Sequence, residues 1–86
     1  MTGTTAMAQL SMPMYRCHKE VWALKISKVD NMVLIFEDER YAPLDVGEPF
    51  IDRHQPEAGG YYVVYADGYK SFSPAKAFED GYTLVA

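Results

Sequence analysis

Cys17, His18 and His54 are the one thiol and the two imidazoles of this chain, and they are its residues best equipped for chemistry. A cysteine beside a histidine can work as a thiolate nucleophile once the imidazole has taken its proton. Cys17 and His18 are neighbours in an extended segment, so their side chains leave on opposite faces and form no local dyad. Cys17 with His54 needs the fold to join them, and no orienting third group or nucleophile signature accompanies the pair. The plainer reading of Cys17 is a half-buried thiol. Metal ligation is no better supported. His54 with Asp52 or Glu57 lacks ligand spacing, and His18 with Glu20 on one strand face gives two ligands where a structural zinc takes four. Gly59-Gly60 leads into a strand rather than a helix N-terminus, so it makes no phosphate loop. Capping explains Ser73-Pro74, turn chemistry explains Asp67, and no motif pairs two carboxylates for acid–base work. The expectation is a protein that is not an enzyme and has no metal or cofactor.

The aromatics remain. Tyr61, Tyr62, Tyr65, Tyr69 and Phe72 fall within residues 61–72, more than a small hairpin needs to fold. Tyr62 and Tyr69, with Lys70, Arg53 and His54, make a candidate binding patch for another protein, a second copy of the chain or a flat ligand. The competing reading places Tyr61, Tyr65 and Tyr82 along the core edge and leaves the others decorating a sheet.

The elements that must position these residues can be read from pattern. Residues 1–13 carry no charged side chain and read as a flexible arm, and residues 14–86 read as one small domain. From Met14 to Ser27 the chain reads as a strand, with Trp22, Leu24 and Ile26 on one face and Val21, Ala23 and Lys25 on the other. Asp30-Asn31 marks a turn. Met32 to Phe36 is a continuous apolar run suited to a central strand. Tyr41 to Val46 suggests a short edge strand, because Pro43 cannot donate to a ladder. Gly47 to Pro56 reads as a short helix with Pro49 at its first position. Asp67-Gly68 between two β-rich runs signals a two-residue hairpin loop. That loop sets Val63 opposite Phe72 and Val64 opposite Ser71. It places Tyr61, Val63, Tyr65, Lys70 and Phe72 on one face and Tyr62, Val64, Ala66, Tyr69 and Ser71 on the other. Ser73 then caps a helix that starts at Pro74, is anchored by Phe78 and ends at Gly81. Tyr82 to Val85 follows as a last strand. The sum is an α+β domain: a mainly antiparallel sheet of four or five strands with one or two short helices.

Eighty-six residues hold one domain with a thin core. A formal net charge of −4 with scattered cations argues against nucleic acid and anionic membranes as partners. The acidic run Glu37-Asp38-Glu39 is broken by Arg40, which suits a solvated turn better than a nucleic-acid mimic. A single cysteine excludes an intrachain disulfide and suits a reducing compartment. Neither a signal peptide nor a run of about 20 apolar residues is visible.

Several pieces occur in a suggestive order. Tyr15-Arg16 leads into Val21-Trp22-Ala23, and His54-Gln55-Pro56 precedes Gly59-Gly60-Tyr61. Asp67-Gly68-Tyr69, Ser73-Pro74, Phe78-Glu79 and Tyr82 complete the series. The order resembles that of small phage and prophage proteins of unknown function across roughly residues 14–85. The resemblance implies a phage-derived protein in the cytoplasm of a bacterial host, and it brings no catalytic residues with it. With the tyrosine patch it gives the expectation of a non-enzymatic binding protein acting on a host protein. A stoichiometric inhibitor of antiphage defence is one form this could take. A homo-oligomer, by preference a dimer through a sheet edge, is also expected. Two alternatives stand beside this reading. One is an oligomeric sponge that sequesters a small nucleotide signal, with Arg16, Arg53 and Lys70 as its cations. The other is a structural or accessory phage protein.

Overall fold

The computed structural model describes residues 12–15 and 19–85. Most of the expected arm lies outside the described residues, as do Arg16, Cys17 and His18. The architecture is a small α+β domain. Strands β1 (Val21–Asp30), β2 (Val33–Phe36) and β3 (Leu44–Asp45) are followed by helix α1 (Gly47–His54). Strands β4 (Tyr61–Tyr65) and β5 (Lys70–Ser73) and helix α2 (Ala75–Gly81) complete the order. The strands form one five-stranded sheet in the order β3-β2-β1-β4-β5, antiparallel at every pairing.

β1 alternates as its sequence dictates. Leu24 and Ile26 join the face on which Phe50 of α1 lies 5.9 Å from Tyr62. Lys25 joins the opposite face with Tyr61, on which Phe78 of α2 is stacked. A bulge at Ser27 shifts the parity, and the Ser27 hydroxyl donates to the Ile35 carbonyl at 3.1 Å. Val29 therefore returns to the same core as Ile26. Asn31 turns the chain at φ 58°, a left-handed conformation that asparagine tolerates. Ile26, Leu34, Phe36 and Tyr62 form the buried cluster on the α1 face, with Val46, Phe50 and Phe72 packed on it. Burying a side chain such as Ile26 or Leu34 contributes about 1.5–3 kcal/mol.

The β4–β5 hairpin departs from the two-residue loop by one position. The observed partners are Tyr62–Phe72, Val63–Ser71 and Val64–Lys70. The Gly68 N–H donates to the Tyr65 carbonyl at 2.8 Å, and the Tyr65 N–H donates to the Tyr69 carbonyl at 2.9 Å. The loop is thus Ala66-Asp67-Gly68. Gly68 takes φ 93° as the left-handed residue of a bulged three-residue turn, and Asp67 accepts the Tyr69 N–H at 3.0 Å. A one-residue slip exchanges the faces of a whole strand. Phe72 and Lys70 therefore share a face with Tyr62 and Val64, while Ser71 lies with Tyr61 and Val63.

Other boundaries also move. β1 runs Val21–Asp30 where the pattern suggested Met14 to Ser27. α1 begins at Gly47 as read but ends at His54 rather than Pro56, and Pro49 is its third residue, still in the first turn, where an N–H has no helical acceptor. The α2 cap is Pro74 rather than Ser73, and Tyr82 rather than Gly81 closes the helix. Residues 82–85 form no strand. Leu84 and Val85 are exposed, and Tyr82 stacks on Phe78 at 4.5 Å.

Candidate binding surface

Each helix treats its face of the sheet differently. On one face α2 is clamped down by a compact set of contacts. Phe78 stacks on Tyr61 with ring centroids 4.1 Å apart. The Tyr61 hydroxyl donates to Glu79 Oε2 at 2.8 Å, and Lys25 Nζ reaches the same oxygen at 3.2 Å. Hydrogen bonds from Tyr61 and then Lys25 hold the Glu79 carboxyl below its usual range. The Glu79 hydrogen bond in turn raises Tyr61 and Lys25. Gly60, one residue before Tyr61, faces the opposite side, where Phe72 lies against the α1-face core. A Cβ there would lie 2.8 Å from the Ser73 carbonyl oxygen and inside the contact distance of the Phe72 ring. Tyr61 and the Phe-Glu and final Tyr pieces of the sequence thus have structural work as a clamp.

The other face is covered only in part. α1 sits over Phe36, Tyr62 and Phe72, and beyond it the sheet lies open. Trp22 is 67% exposed and Tyr41 50% exposed. They flank a groove of about 190 Å³ lined also by Ala23, Leu24, Tyr62 and Val64. Sequence reasoning placed Trp22 on the correct face and missed its exposure. The missing signal is tertiary: β2 pairs with β1 only from Ile26 onward, so the start of β1 loses both its neighbour on that side and its cover.

The residues of the predicted patch separate. Tyr62 is 7% exposed and belongs to the core, a correction that follows from its place under Phe50 and opposite Phe72. Burial pushes its phenol above the usual value. Tyr69, at the hairpin end, is exposed and stacks on Tyr65 at 5.8 Å. His54 in the last turn of α1 lies 6.3 Å from the Tyr69 ring and 4.6 Å from Phe50. Desolvation, and secondarily the Arg53 charge, lower the His54 pKa. Arg53 and Lys70 are exposed. The structure thus joins His54 with Tyr69 and sets Tyr62 beneath Phe50.

No group of three or more His, Cys, Asp or Glu side chains is placed to hold a metal among the described residues. No helix among the described residues is long and apolar enough to cross a membrane. The fold and surface define a small α+β domain with one clamped and one half-open sheet face. No protein-family model, no curated protein and no solved structure matches the chain.

Proposed function

We propose that this chain is a non-enzymatic binding protein that captures a partner protein on the open sheet face. In the sharpest form of the reading it is of phage origin and the partner is a host component, one used in antiphage defence being the leading case. The observation that carries the binding reading is Trp22, exposed over an apolar groove in a domain with little core to spare. A large aromatic left in water beside apolar surface marks an interaction site, and Trp and Tyr are the residues in which binding energy concentrates. The groove, at about 190 Å³, falls below the roughly 300 Å³ at which small-molecule pockets begin, which favours a macromolecular surface. The phage and host parts of the reading draw on the order of sequence pieces alone. The test is affinity capture from bacterial lysate with wild type and Trp22→Ala, followed by titration of the purified partner. A specific partner that Trp22→Ala fails to retain is the expected result. Equal recovery by both proteins, or no specific partner, would count against the reading.

The nucleotide sponge draws on a different place. Arg53 and Lys70 are exposed, and His54 and Tyr69 offer flat rings at the junction of α1 and the hairpin. Melting-temperature shifts with cyclic and linear nucleotides separate the two readings, because a ligand of the folded state raises stability by mass action. A shift abolished by Arg53→Ala and not by Trp22→Ala would select the sponge.

A further inference from the structure

Among the described residues, the first half of β1 is a strand edge open on one side, although β1 lies in the middle of the sheet. On its β4 side the ladder is complete from Val21–Tyr65 to Lys25–Tyr61. On its β2 side, pairing begins only at Ile26–Phe36. The direction of the backbone groups follows from alternation along an antiparallel strand. The Ile26 N–H donates to Gly60 at 2.8 Å and its carbonyl accepts from Gly59 at 2.7 Å, so Ile26, Leu24 and Trp22 address β4. Lys25, Ala23 and Val21 address the other side, and the Lys25 carbonyl there accepts the Glu37 N–H at 2.9 Å. Val21 and Ala23 therefore direct their N–H and C=O groups into a notch that no described strand fills. The notch borders the groove between Trp22 and Tyr41.

Its charge is one-sided. Glu20 lies at one end, Glu37 closes the other, and Glu39 sits in the loop before Tyr41; all three are exposed. Arg40 pairs with Asp38 at 2.7 Å, and Lys25 pairs with Glu79 on the α2 face, where the Glu37 charge also acts on it. Lys19 lies 5.0 Å from the Tyr65 ring centroid. Among the described residues, Glu20, Glu37 and Glu39 form no ion pair.

Resting on the binding reading above, we infer that the notch beside Val21–Leu24 accepts an extended segment of the partner protein as an added strand. That segment carries alternating apolar side chains that lie on the Trp22–Tyr41 groove, with basic residues between or beside them. Main-chain bonds to an open edge supply affinity, and alternate side chains supply specificity. An open edge next to an apolar shelf is what a soluble domain otherwise covers or charges. The acidic rim selects the occupant. A second copy would bring the same carboxylates onto this rim, and a nucleotide would bring phosphate to it, whereas a basic segment meets opposite charge.

The test is amide exchange of the full chain by NMR, with and without a short peptide alternating lysine and valine. In the free protein, Trp22 and Leu24 are expected to exchange about tenfold or more slowly than Val21 and Ala23. Saturating peptide is expected to slow Val21 and Ala23 by about tenfold or more and to shift the fluorescence of the only tryptophan. Ala23→Pro removes one open N–H and no bond to β4, and is expected to weaken peptide binding about tenfold. Should proline disturb the strand, Glu20→Lys with Glu37→Lys tests the rim, with a similar loss expected. A peptide alternating glutamate and valine should bind more weakly by about tenfold or more. A lysine–valine peptide that fails to bind, or that binds while both amides stay fast, overturns strand addition. So does protection that rises with protein concentration alone, which reports a second copy. If partner capture still depends on Trp22 in those cases, the binding reading stands and only the docking mode fails.

Discussion

The α2 face and the α1 face of this sheet solve the same covering problem with helices of similar length. α2 lays Phe78 flat on Tyr61 and ties the contact down through Glu79, so its face is closed by stacking and charge-assisted hydrogen bonds. α1 inserts Phe50 against Tyr62 at one end and leaves Trp22 exposed, with Leu24 and Val64 half-buried along the groove, at the other. Helix length does not account for the difference. It arises because β2 ends at Phe36, so the sheet is narrower where β1 begins. A domain of this size has little apolar surface to leave idle. The asymmetry separates what holds the fold from what is free to bind.

The comparison breaks most completely if the shared core fails. Ile26 is fully buried beneath α1, and Ile26→Ala is expected to cost about 3 kcal/mol in urea unfolding, a large share of the stability of a small domain. Phe78→Ala tests the clamped face alone. It removes both stacks, to Tyr61 and to Tyr82, and is expected to cost about 2 kcal/mol while leaving the Trp22 emission spectrum unchanged. Trp22→Ala tests the open face. With that side chain 67% exposed, the expected loss of stability is under about 1 kcal/mol, while partner binding falls by about 2 kcal/mol or more. Equal stability losses for Phe78→Ala and Trp22→Ala would remove the distinction between the faces.

The division between faces was only half legible in the sequence. Trp22, Leu24 and Ile26 declared their common face by strict alternation, and the apolar run ending at Phe36 declared β2. The hairpin declared itself through Asp67-Gly68, but its register did not. The same Gly68 serves a two-residue or a three-residue loop, and the choice between them rests on whether Tyr65 and Tyr69 pair across it. That choice moved Phe72 and Lys70 to the other face and put Tyr62 in the core, where a contact residue had been expected. The exposure of Trp22 had no local signal, because it depends on where a different strand stops. Tyr82 read as a strand residue from its neighbours' β propensity, yet the Phe78 ring one helical turn earlier offers it a stacking partner.

Titration sharpens the comparison with smaller effects. On the α2 face Glu79 is depressed from 4.5, so its contribution is present above that value and is lost as the pH falls through the folded pKa. Tyr61 and Lys25 are raised from 10.0 and 10.5, so their contributions are present below those values and disappear as the pH rises through the folded ones. The clamp therefore weakens at both extremes. Glu79→Gln is expected to flatten both limbs of a melting-temperature profile, by a small amount because these groups are exposed.

On the α1 face the acid limb falls near neutrality, and the raised Tyr62 phenol adds an alkaline limb of its own. His54 packs against Phe50 at 4.6 Å and edge-on to Tyr69 at 6.3 Å, a place that suits the neutral ring. Desolvation lowers its pKa from 6.5, with the Arg53 charge acting in the same direction. As the pH falls below 6.5 the unfolded chain takes up a proton at His54 before the folded chain does. Stability therefore declines through that window and levels off once the pH lies below the depressed folded value. The Glu79 limb lies lower, so the two faces separate on the pH axis. His54→Gln is expected to remove the decline just below 6.5 and leave the more acidic Glu79 limb intact, as read by melting temperature across the acid range. If Glu79→Gln rather than His54→Gln abolishes the near-neutral decline, the clamp and not the α1 contact carries it, and the assignment of the two limbs to the two faces is reversed.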